Sequence, residues 1–322
     1  MREIATIKDI AQKANVSPST VSRALNGNSR ISKETVTKIK KMASEMEYYP
    51  NYAAQNLTRG DANANIVGIV FPVTSRDAPA NPFHIDLMRG ASSALTPMHY
   101  EMLVAISATE KELLSSVKSM VNQAKVHNFL IFYAVKNDPI TAYLRKKKLN
   151  FVIIGDPSDN SGDRYVDNNN VAAGEAAAKC LIDNYHVLHP LFIQSSKKWP
   201  YETSRLKGYQ QYLKQNGYDG NVWVDNSSQT IDDFLKNHAK IDGIVCADDI
   251  LFAKLNSSLQ KFKLPTVCFN SSRLMGMILG DSEKIDMQPR ELGQEAVKLL
   301  FNQNAHQKIV NFKFSDNSMQ EN

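Results

Sequence analysis

The chain has 322 residues, 43% of them hydrophobic, which is enough for about two domains with substantial cores. It lacks a run of about 18 apolar residues, an apolar N-terminal segment and paired cysteine spacing, so the sequence predicts a cytoplasmic protein with reduced thiols. The net charge of +5 lies entirely in residues 1–60, where ten basic side chains face five acidic ones, and this predicts a polyanionic partner for that segment.

The pattern of residues 6–27 predicts two short helices joined by a tight turn. Thr6 and Asp9 have the spacing of a capping box, and Ser17 can cap the second helix with Pro18 at its first position. Hydroxyl, arginine and asparagine side chains face outward from this second helix: Ser17, Ser19, Thr20, Ser22, Arg23 and Asn26. Hydroxyls suit phosphates and arginine suits guanine edges, so this face favours a DNA groove. A solvated amphipathic helix pair is the alternative.

A third helix is predicted after Ser32, with Val36, Ile39, Ala43 and Met46 on one face. Residues 51–60 then form a candidate helix that is too short to be stable alone. Its small residues permit close approach of a second helix. Its Leu57 can act as a wedge between DNA base steps, or it can pack on the following domain.

Short apolar runs alternate with amphipathic stretches from Ile66 onward, which predicts a doubly wound α/β architecture. Buried parallel strands are predicted at 66–72, 102–106, 129–134 and 151–155, with helices at 84–97, 109–126 and 138–148 between them. The second series has helices at 170–185, 202–216, 230–238 and 249–262 and strands at 190–194, 222–225, 243–247, 265–269 and 276–279. A helix from about Pro289 to Gln303 and a strand at 308–314 close the chain.

The ordered motifs T-I-K-D-I-A, A-N-V-S-P-S-T-V-S-R-A-L-N-G and Y-Y-P-N-Y-A-A-Q-N-L resemble the lac repressor/galactose repressor family of bacterial transcription factors. The resemblance implies an all-α helix-turn-helix head at 1–50, a hinge helix at 51–60 and an effector-binding and dimerisation domain at 61–322. That domain would be a two-lobed, periplasmic-binding-protein-like α/β domain. Lobe 1 would cover about 61–160 and 289–315, and lobe 2 about 161–288. Three crossings near 158–165, 286–289 and 315–317 would join the lobes.

The same resemblance implies a homodimer that binds double-stranded operator DNA. The candidate DNA-binding residues are Thr6, Ser17, Pro18, Ser19, Thr20, Ser22, Arg23, Asn26, Tyr49, Asn51, Ala54 and Leu57. Two hinges would pair across the dimer axis and insert Leu57 into the minor groove. Closure of the two lobes on an effector would separate the hinges and lower operator affinity.

Open α/β sheets bind ligands at the carboxyl ends of their strands, and several polar and aromatic side chains follow the predicted strands. Arg205 stands in an R-x-x-G-Y frame that matches the family, Asp248 stands where the family usually has Asn, and Asn270 where it usually has Asp. The predicted effector-binding residues are Phe83, Asp156, Trp199, Arg205, Asp248, Asn270 and Gln288. Such a set suits a neutral polyol. Arg205 as a plain salt bridge, Asp248 as a helix cap, Phe83 as core and Trp199 as a surface aromatic are the alternatives.

Segments such as N-P-F-H-I-D-L-M-R-G and R-Y-V-D-N-N-N-V-A-A-G resemble the maltose-operon repressors of Gram-positive bacteria, which suggests maltose or a maltodextrin as effector. No metal-binding, nucleophile or phosphate-loop motif occurs in the sequence, so the chain is predicted to be no enzyme and to use no cofactor. The predicted function is a carbohydrate-controlled transcriptional repressor. A cytoplasmic sugar-binding protein without DNA function and a sugar hydrolase are the alternatives.

Overall fold

The computed structural model describes residues 5–25, 30–46, 48, 65–74, 81–157, 162–226, 228–270, 282–302 and 304–314. The chain divides into two units, Met1–Ala64 and Asn65–Asn322. The predicted hinge helix at 51–60 and the predicted strand at 276–279 lie outside the described residues. Among the described helices, none is both long and apolar enough to cross a membrane.

The N-terminal unit contains three helices: α1 (Ile7–Ala14), α2 (Pro18–Leu25) and α3 (Lys33–Glu45). The predicted capping box is present, because the N–H and Oγ1 of Thr6 each donate to Asp9 Oδ2 at 2.7 Å. Ser17 and Ser32 cap α2 and α3, since each Oγ accepts the backbone N–H three residues later at 3.2 Å. The local sequence therefore sets where these helices begin.

The three helices enclose a small apolar core: Ile10, Ala11, Ala14, Val21, Ala24, Ile39 and Ala43. In α2, Ala24 is buried whereas Leu25 is only half-buried. Ala24 lies three residues after Val21 and shares its face of the helix, so these two side chains form the buried stripe of α2.

The second unit contains twelve described strands: β1 (Ile66–Val70), β2 (Glu101–Ala105), β3 (Asn128–Ile131), β4 (Asn150–Ile154), β5 (Tyr165–Asn168), β6 (Pro190–Ser195), β7 (Asn221–Asp225), β8 (Gly243–Cys246), β9 (Thr266–Phe269), β10 (Glu283–Asp286), β11 (Gln307–Val310) and β12 (Lys313–Phe314). Its described α-helices are α4 (Pro82–Leu95), α5 (Glu110–Asn122), α6 (Pro139–Lys146), α7 (Asn170–Tyr185), α8 (Pro200–Gln215), α9 (Ile231–Asn237), α10 (Asp249–Leu259) and α11 (Pro289–Phe301). A 3₁₀ turn covers Thr96–Met98.

These strands form two six-stranded sheets, ordered β11-β5-β4-β3-β1-β2 and β12-β10-β9-β8-β6-β7. The pairs are parallel except for β12, which runs antiparallel to β10. The first sheet packs with α4–α6 and α11 and is called the first lobe here. The second sheet packs with α7–α10 and is called the second lobe. The predicted doubly wound α/β class is confirmed.

Two of the three predicted crossings lie elsewhere in the structure. Because β5 belongs to the first sheet, the first crossing is at residue 169 rather than at 158–165, and the second lobe begins with α7. Because β12 pairs with β10 in the second sheet, the third crossing lies between β11 and β12 rather than at 315–317. The crossing predicted at 286–289 lies where expected, between β10 and α11. The polar residues of β5 hid that strand from the sequence pattern, and the single strand predicted at 308–314 is two strands in different sheets, β11 and β12.

Strand β2 is the edge strand of the first sheet and is mostly exposed, although its apolar sequence predicted a buried strand. Leu103 and Val104 are 37% and 40% exposed, and Ile106, just beyond the strand, is 65% exposed. Position in the sheet, which a single sequence does not encode locally, decides the burial of this strand.

Gly208, the glycine of the R-x-x-G-Y frame, lies where helices α7 and α8 approach each other closely. A Cβ on Gly208 would lie 1.9 Å from the Val171 carbonyl oxygen, and one on Gly174 would lie 1.9 Å from the Arg205 carbonyl oxygen. Only glycine permits this approach of α7 and α8. The close pair brings Arg205 to the start of α7, at the first crossing.

Candidate functional site

Helix α2 presents its polar face to solvent. Ser17, Pro18, Ser19 and Arg23 are exposed, and Thr20 and Ser22 are partly exposed. The Ser17 Oγ lies 2.8 Å from Ser19 Oγ and 2.9 Å from the Thr20 hydroxyl, so the hydroxyls form one connected group at the start of the helix. Thr6 is also exposed. The predicted DNA-binding residues Asn26, Tyr49, Asn51, Ala54 and Leu57 lie outside the described residues.

A cavity of about 990 Å³ lies between the two lobes of the second unit. Six of the seven predicted effector-binding residues line it: Phe83, Asp156, Trp199, Arg205, Asp248 and Asn270. The first lobe contributes most of the aromatic lining: Phe71, Phe83, His84, Phe132 and Tyr133. The second lobe contributes most of the polar side chains.

Arg205 is buried, at 4% exposure, and its guanidinium is held on several sides. The Nε donates to Asn170 Oδ1 at 3.0 Å, and Nη1 donates to the Ala247 carbonyl oxygen at 2.7 Å. The guanidinium carbon lies 4.8 Å from the Tyr201 ring centre and 4.3 Å from that of Phe269. The side chain is therefore preorganised at the cavity wall.

Asp248 both lines the cavity and caps α10. Its Oδ1 accepts the N–H of Ile250 at 2.9 Å, and its Oδ2 accepts the Tyr201 hydroxyl at 3.4 Å. Burial raises the pKa of the Asp248 carboxyl, and the nearby Arg205 opposes that shift. Asp248 is thus a helix cap, as the alternative interpretation had it, and also a residue of the cavity wall.

Asn270 follows β9 in a left-handed conformation, with φ 74°. Its Nδ2 donates to Asp249 Oδ1 at 3.2 Å, which turns the amide nitrogen toward α10. The buried Asn270 Oδ1 and Asp249 Oδ2 have no hydrogen-bond partner within the described residues. Burial and the neighbouring Asp248 raise the pKa of Asp249 to about 7.

Phe83 and Trp199 both lie at helix starts. Phe83 follows the Asn81 cap of α4 and packs against the cores of both lobes, so it is part of the core and of the cavity wall. Trp199 immediately precedes α8, with Lys197 Nζ 5.2 Å from its ring centre. Asp156 follows β4, and its N–H donates to Asp167 Oδ2 at 3.1 Å.

Gln288 does not line the cavity, in contrast to the prediction. It precedes α11 with φ 53°, and its N–H donates to Asp286 Oδ1 at 2.8 Å while its Nε2 donates to Asp286 Oδ2 at 2.5 Å. These local bonds turn the side chain toward Asp286 at the second crossing and away from the cavity.

Several cavity residues escaped the sequence analysis. Glu202 accepts the N–H and the hydroxyl of Ser195, and burial raises its pKa to about 7. Burial raises the pKa of Asp167 to about 6 and lowers the pKa of His84 to about 4, so His84 is neutral at pH 7. Glu202 precedes Arg205 by one helical turn, but no motif marks any of the three. Groups of acidic, His and Cys side chains that could hold a metal are absent from the described residues.

Two family models match this chain. Residues 6–51 match "Bacterial regulatory proteins, lacI family", and residues 65–253 match "Periplasmic binding proteins and sugar binding domain of LacI family". The chain belongs to the LacI family. The HTH-type transcriptional regulator MalR of Staphylococcus xylosus is 30% identical, over 96% of this chain and 94% of that protein. The sequence-based family prediction is therefore confirmed.

Solved structures of LacI-family regulators have the same fold. The lac repressor dimer bound to operator and the anti-inducer ONPF superposes with a TM-score of 0.73 at 17% identity, covering 97% of this chain and 98% of that chain. The complex of the transcriptional regulator CelR with cellobiose gives 0.68 at 19% identity, with 97% and 98% covered. As a LacI-family member, the chain is a DNA-binding transcriptional regulator with a periplasmic-binding-protein-like unit.

Proposed function

We propose that this LacI-family regulator is a repressor that binds a pseudo-palindromic operator as a homodimer and releases it when a neutral carbohydrate fills the cavity. Arg23 and Ser19 of α2 contact base edges in the major groove, and the neighbouring hydroxyls contact phosphates. Leu57 from each chain enters the minor groove at the centre of the operator. Such a regulator acts on chromosomal DNA in the cytoplasm.

The charged, amide and aromatic side chains that line the cavity indicate the class of its ligand. Its lining has five acidic side chains and three basic ones: Glu112, Asp156, Asp167, Glu202 and Asp248 against Lys197, Arg205 and Lys254. Lys254 forms an ion pair with Asp225, and Arg205 is bonded to protein atoms. This balance disfavours a phosphorylated or carboxylated ligand. Carboxylates, amides and an aromatic wall suit the hydroxyls and the apolar face of a sugar ring.

The cavity volume favours a disaccharide or a short oligosaccharide over a monosaccharide. About 990 Å³ is at the upper end of the usual range for small-molecule sites, about 300–1,000 Å³. The CelR structure contains the disaccharide cellobiose, and the relative from S. xylosus is a MalR regulator. Maltose or a maltodextrin is therefore the effector that we propose.

The exposed edge of the first sheet supports the dimer. Leu103, Val104 and Ile106 are exposed apolar side chains at or just after β2, and Val104 and Ile106 also line the cavity. An exposed apolar edge strand is prone to association unless a partner covers it. A second copy of the chain on this edge would couple the two first lobes, and with them the two hinges.

For the sugar to release the dimer from its operator, the two states of the dimer must differ in their affinity for the sugar. A coupling of about 1–3 kcal/mol, or roughly 5–150-fold in operator affinity, is typical of such regulators. Closure of the lobes around the sugar would favour the state in which the hinges are apart.

The test is DNA binding with and without sugar. The purified protein selects its operator from random double-stranded DNA, and fluorescence anisotropy then measures affinity over a range of salt concentrations with maltose, maltotriose and a maltose phosphate. We expect a linear loss of log affinity with log salt, and a drop in affinity with the neutral sugars alone. A lack of sequence preference would instead support a sugar-binding protein without DNA function, and turnover of maltose would support a hydrolase.

A further inference from the structure

The three crossings between the lobes meet at one side chain, Asn168. This residue ends β5, directly before the first crossing, and is 5% exposed. Its Nδ2 donates to the Met287 carbonyl oxygen at 3.1 Å and to the Val310 carbonyl oxygen at 2.9 Å. Met287 belongs to the second crossing, and Val310 ends β11, directly before the third. One amide group therefore joins all three connections, and we call this pair of hydrogen bonds the Asn168 clasp.

A continuous chain of hydrogen bonds runs from the cavity to the clasp. Arg205 Nε donates to Asn170 Oδ1 at 3.0 Å. Asn170 Nδ2 in turn donates to Asp167 Oδ1 at 3.0 Å and to the Asn168 carbonyl oxygen at 3.3 Å. The Asn168 N–H also donates to Asp167 Oδ1, at 2.8 Å. Two side chains, those of Asn170 and Asn168, thus link the guanidinium to the backbones of the second and third crossings, and both also line the cavity.

We propose that Asn168 is a positioning residue that makes the three crossings move as one unit, so that closure of the lobes on a ligand alters operator affinity. The inference rests on the proposed function, since it concerns how a ligand in the cavity affects DNA binding. Three separate connections can each twist by a different amount. If they twisted independently, the movement of lobe closure would be confined to the connections between the lobes. A shared amide penalises such independent movement, because two buried carbonyl groups would lose their donor.

The chemistry at this position requires an amide. Asn supplies two N–H donors from one nitrogen, and the structure uses that nitrogen for two carbonyl oxygens. A carboxylate of the same shape would place negative charge against both oxygens. A serine hydroxyl has a single proton and can satisfy one of them at most.

The experiment compares Asn168→Ala with a matched control, Asn150→Ala. The amide of Asn150 also donates to a backbone carbonyl, that of Leu300 at 2.9 Å, but it joins β4 to α11 within the first lobe. Maltose affinity is measured by titration calorimetry, and operator affinity by anisotropy without sugar and at saturating maltose. The readout is the ratio of the two operator affinities, together with the melting temperature.

We expect the wild-type ratio to lie in the range of about 5–150 and the Asn168→Ala ratio to fall below about 3. Because Asn168 also lines the cavity, a fall in maltose affinity does not test the clasp, and the ratio is taken at maltose concentrations that saturate each variant. Asn150→Ala should keep the wild-type ratio even where it lowers the melting temperature. A wild-type ratio in Asn168→Ala, or an equal loss in Asn150→Ala, would overturn the inference. If Asn168→Ala does not fold, Asn168→Ser replaces it, with an intermediate ratio expected and an unchanged ratio counting against the clasp.

The outcome separates this inference from the proposed function. If wild-type protein binds operator but maltose neither binds nor changes that binding, the choice of effector is wrong, and the same variants are then compared with the sugar that does act. If no sugar changes operator binding of the wild type, the proposed function and the clasp both fail. If wild type responds and Asn168→Ala responds equally, only the clasp is wrong.

Discussion

Two helices of this protein begin in the same way and use their arginines differently. Both α2 and α8 have proline at the first position, and both carry an arginine on a later turn, Arg23 and Arg205. Arg23 is exposed, whereas Arg205 is 4% exposed and bonded to Asn170 and Ala247. An exposed, solvated arginine suits a charged, extended partner such as DNA. A buried one with its geometry held in place suits a small neutral ligand.

The largest expected effect comes from Arg205→Ala. Removal of the guanidinium leaves Asn170 and Ala247 without their donor and leaves the buried Asp248 without its nearby positive charge. We expect maltose affinity to fall about 10–150-fold, since a hydrogen bond to a charged group contributes about 1.5–3 kcal/mol. The free energy of unfolding should fall by about 3 kcal/mol. Titration calorimetry and urea unfolding measure the two effects.

Arg164→Ala is the matched control for that variant. Arg164 also donates to backbone carbonyl oxygens, those of Leu299 and Asn302, but it does not line the cavity. It should lower stability and leave maltose affinity within about twofold of wild type. Comparable maltose affinity in wild type and Arg205→Ala would remove Arg205 from the site.

A substitution on the exposed edge of the first sheet tests whether this edge is the dimer interface. Leu103→Asp places a charge on an exposed apolar side chain of β2 that does not line the cavity, and we expect dimers to dissociate at micromolar concentration and operator affinity to fall more than about tenfold. Sedimentation velocity measures the oligomeric state. Leu188→Asp is the control, since Leu188 is 58% exposed in the second lobe, away from β2. If Leu103→Asp leaves the dimer intact, this edge is not the interface.

In the head, Arg23→Ala should weaken operator binding by about 1–3 kcal/mol and relax the preference for one base pair. Arg23→Lys is the matched variant, because it keeps the charge and loses the planar fork that contacts guanine. We expect Arg23→Lys to retain salt-dependent binding to unrelated DNA while its preference for the operator falls. Equal discrimination in wild type and Arg23→Lys would mean that Arg23 contacts only phosphate.

The smallest expected effect is a change in pH dependence with Glu202→Gln. Burial raises the pKa of Glu202 from 4.5 to about 7, so between these values the folded state binds a proton that the unfolded chain has lost. The free energy of unfolding should therefore decrease as pH rises from about 4.5 to 7, by at most about 1.4 kcal/mol per pH unit for one proton. Glu202→Gln should make this slope shallower. A residual slope is expected, because Asp167 and Asp249 shift in the same direction.

Patterns over a few neighbouring residues correctly predicted the helices of the head and the alternation of strands and helices in the second unit. The capping residues Thr6, Ser17 and Ser32 lie at the helix starts where the sequence placed them, because a cap bonds to backbone groups two or three residues away. The strands that line the cavity are also local features, since a run of apolar residues is buried on both faces of a parallel sheet.

Sequence alone did not predict the first and third crossings or the exposure of β2. These depend on residues far away in the chain: β5 pairs with a strand about 140 residues later, and Asn168 meets carbonyl groups 119 and 142 residues away. The direction of the Gln288 side chain depends on Asp286, two residues away, but no motif marks that bond. Glu202, Asp167 and His84 carry no motif, and only the folded cavity brings them together with Arg205.

For this protein, the order of residues by itself determined the family, the helix-turn-helix head, the α/β class and six of the side chains that line the cavity. These follow from spacing, capping and strand ends, which act over a few residues. The tertiary structure alone decided where the lobes connect, which arginine is buried, and that one asparagine amide joins three connections. Such features arise because sheet order and helix packing unite distant segments, and burial then fixes which polar groups must bond to one another.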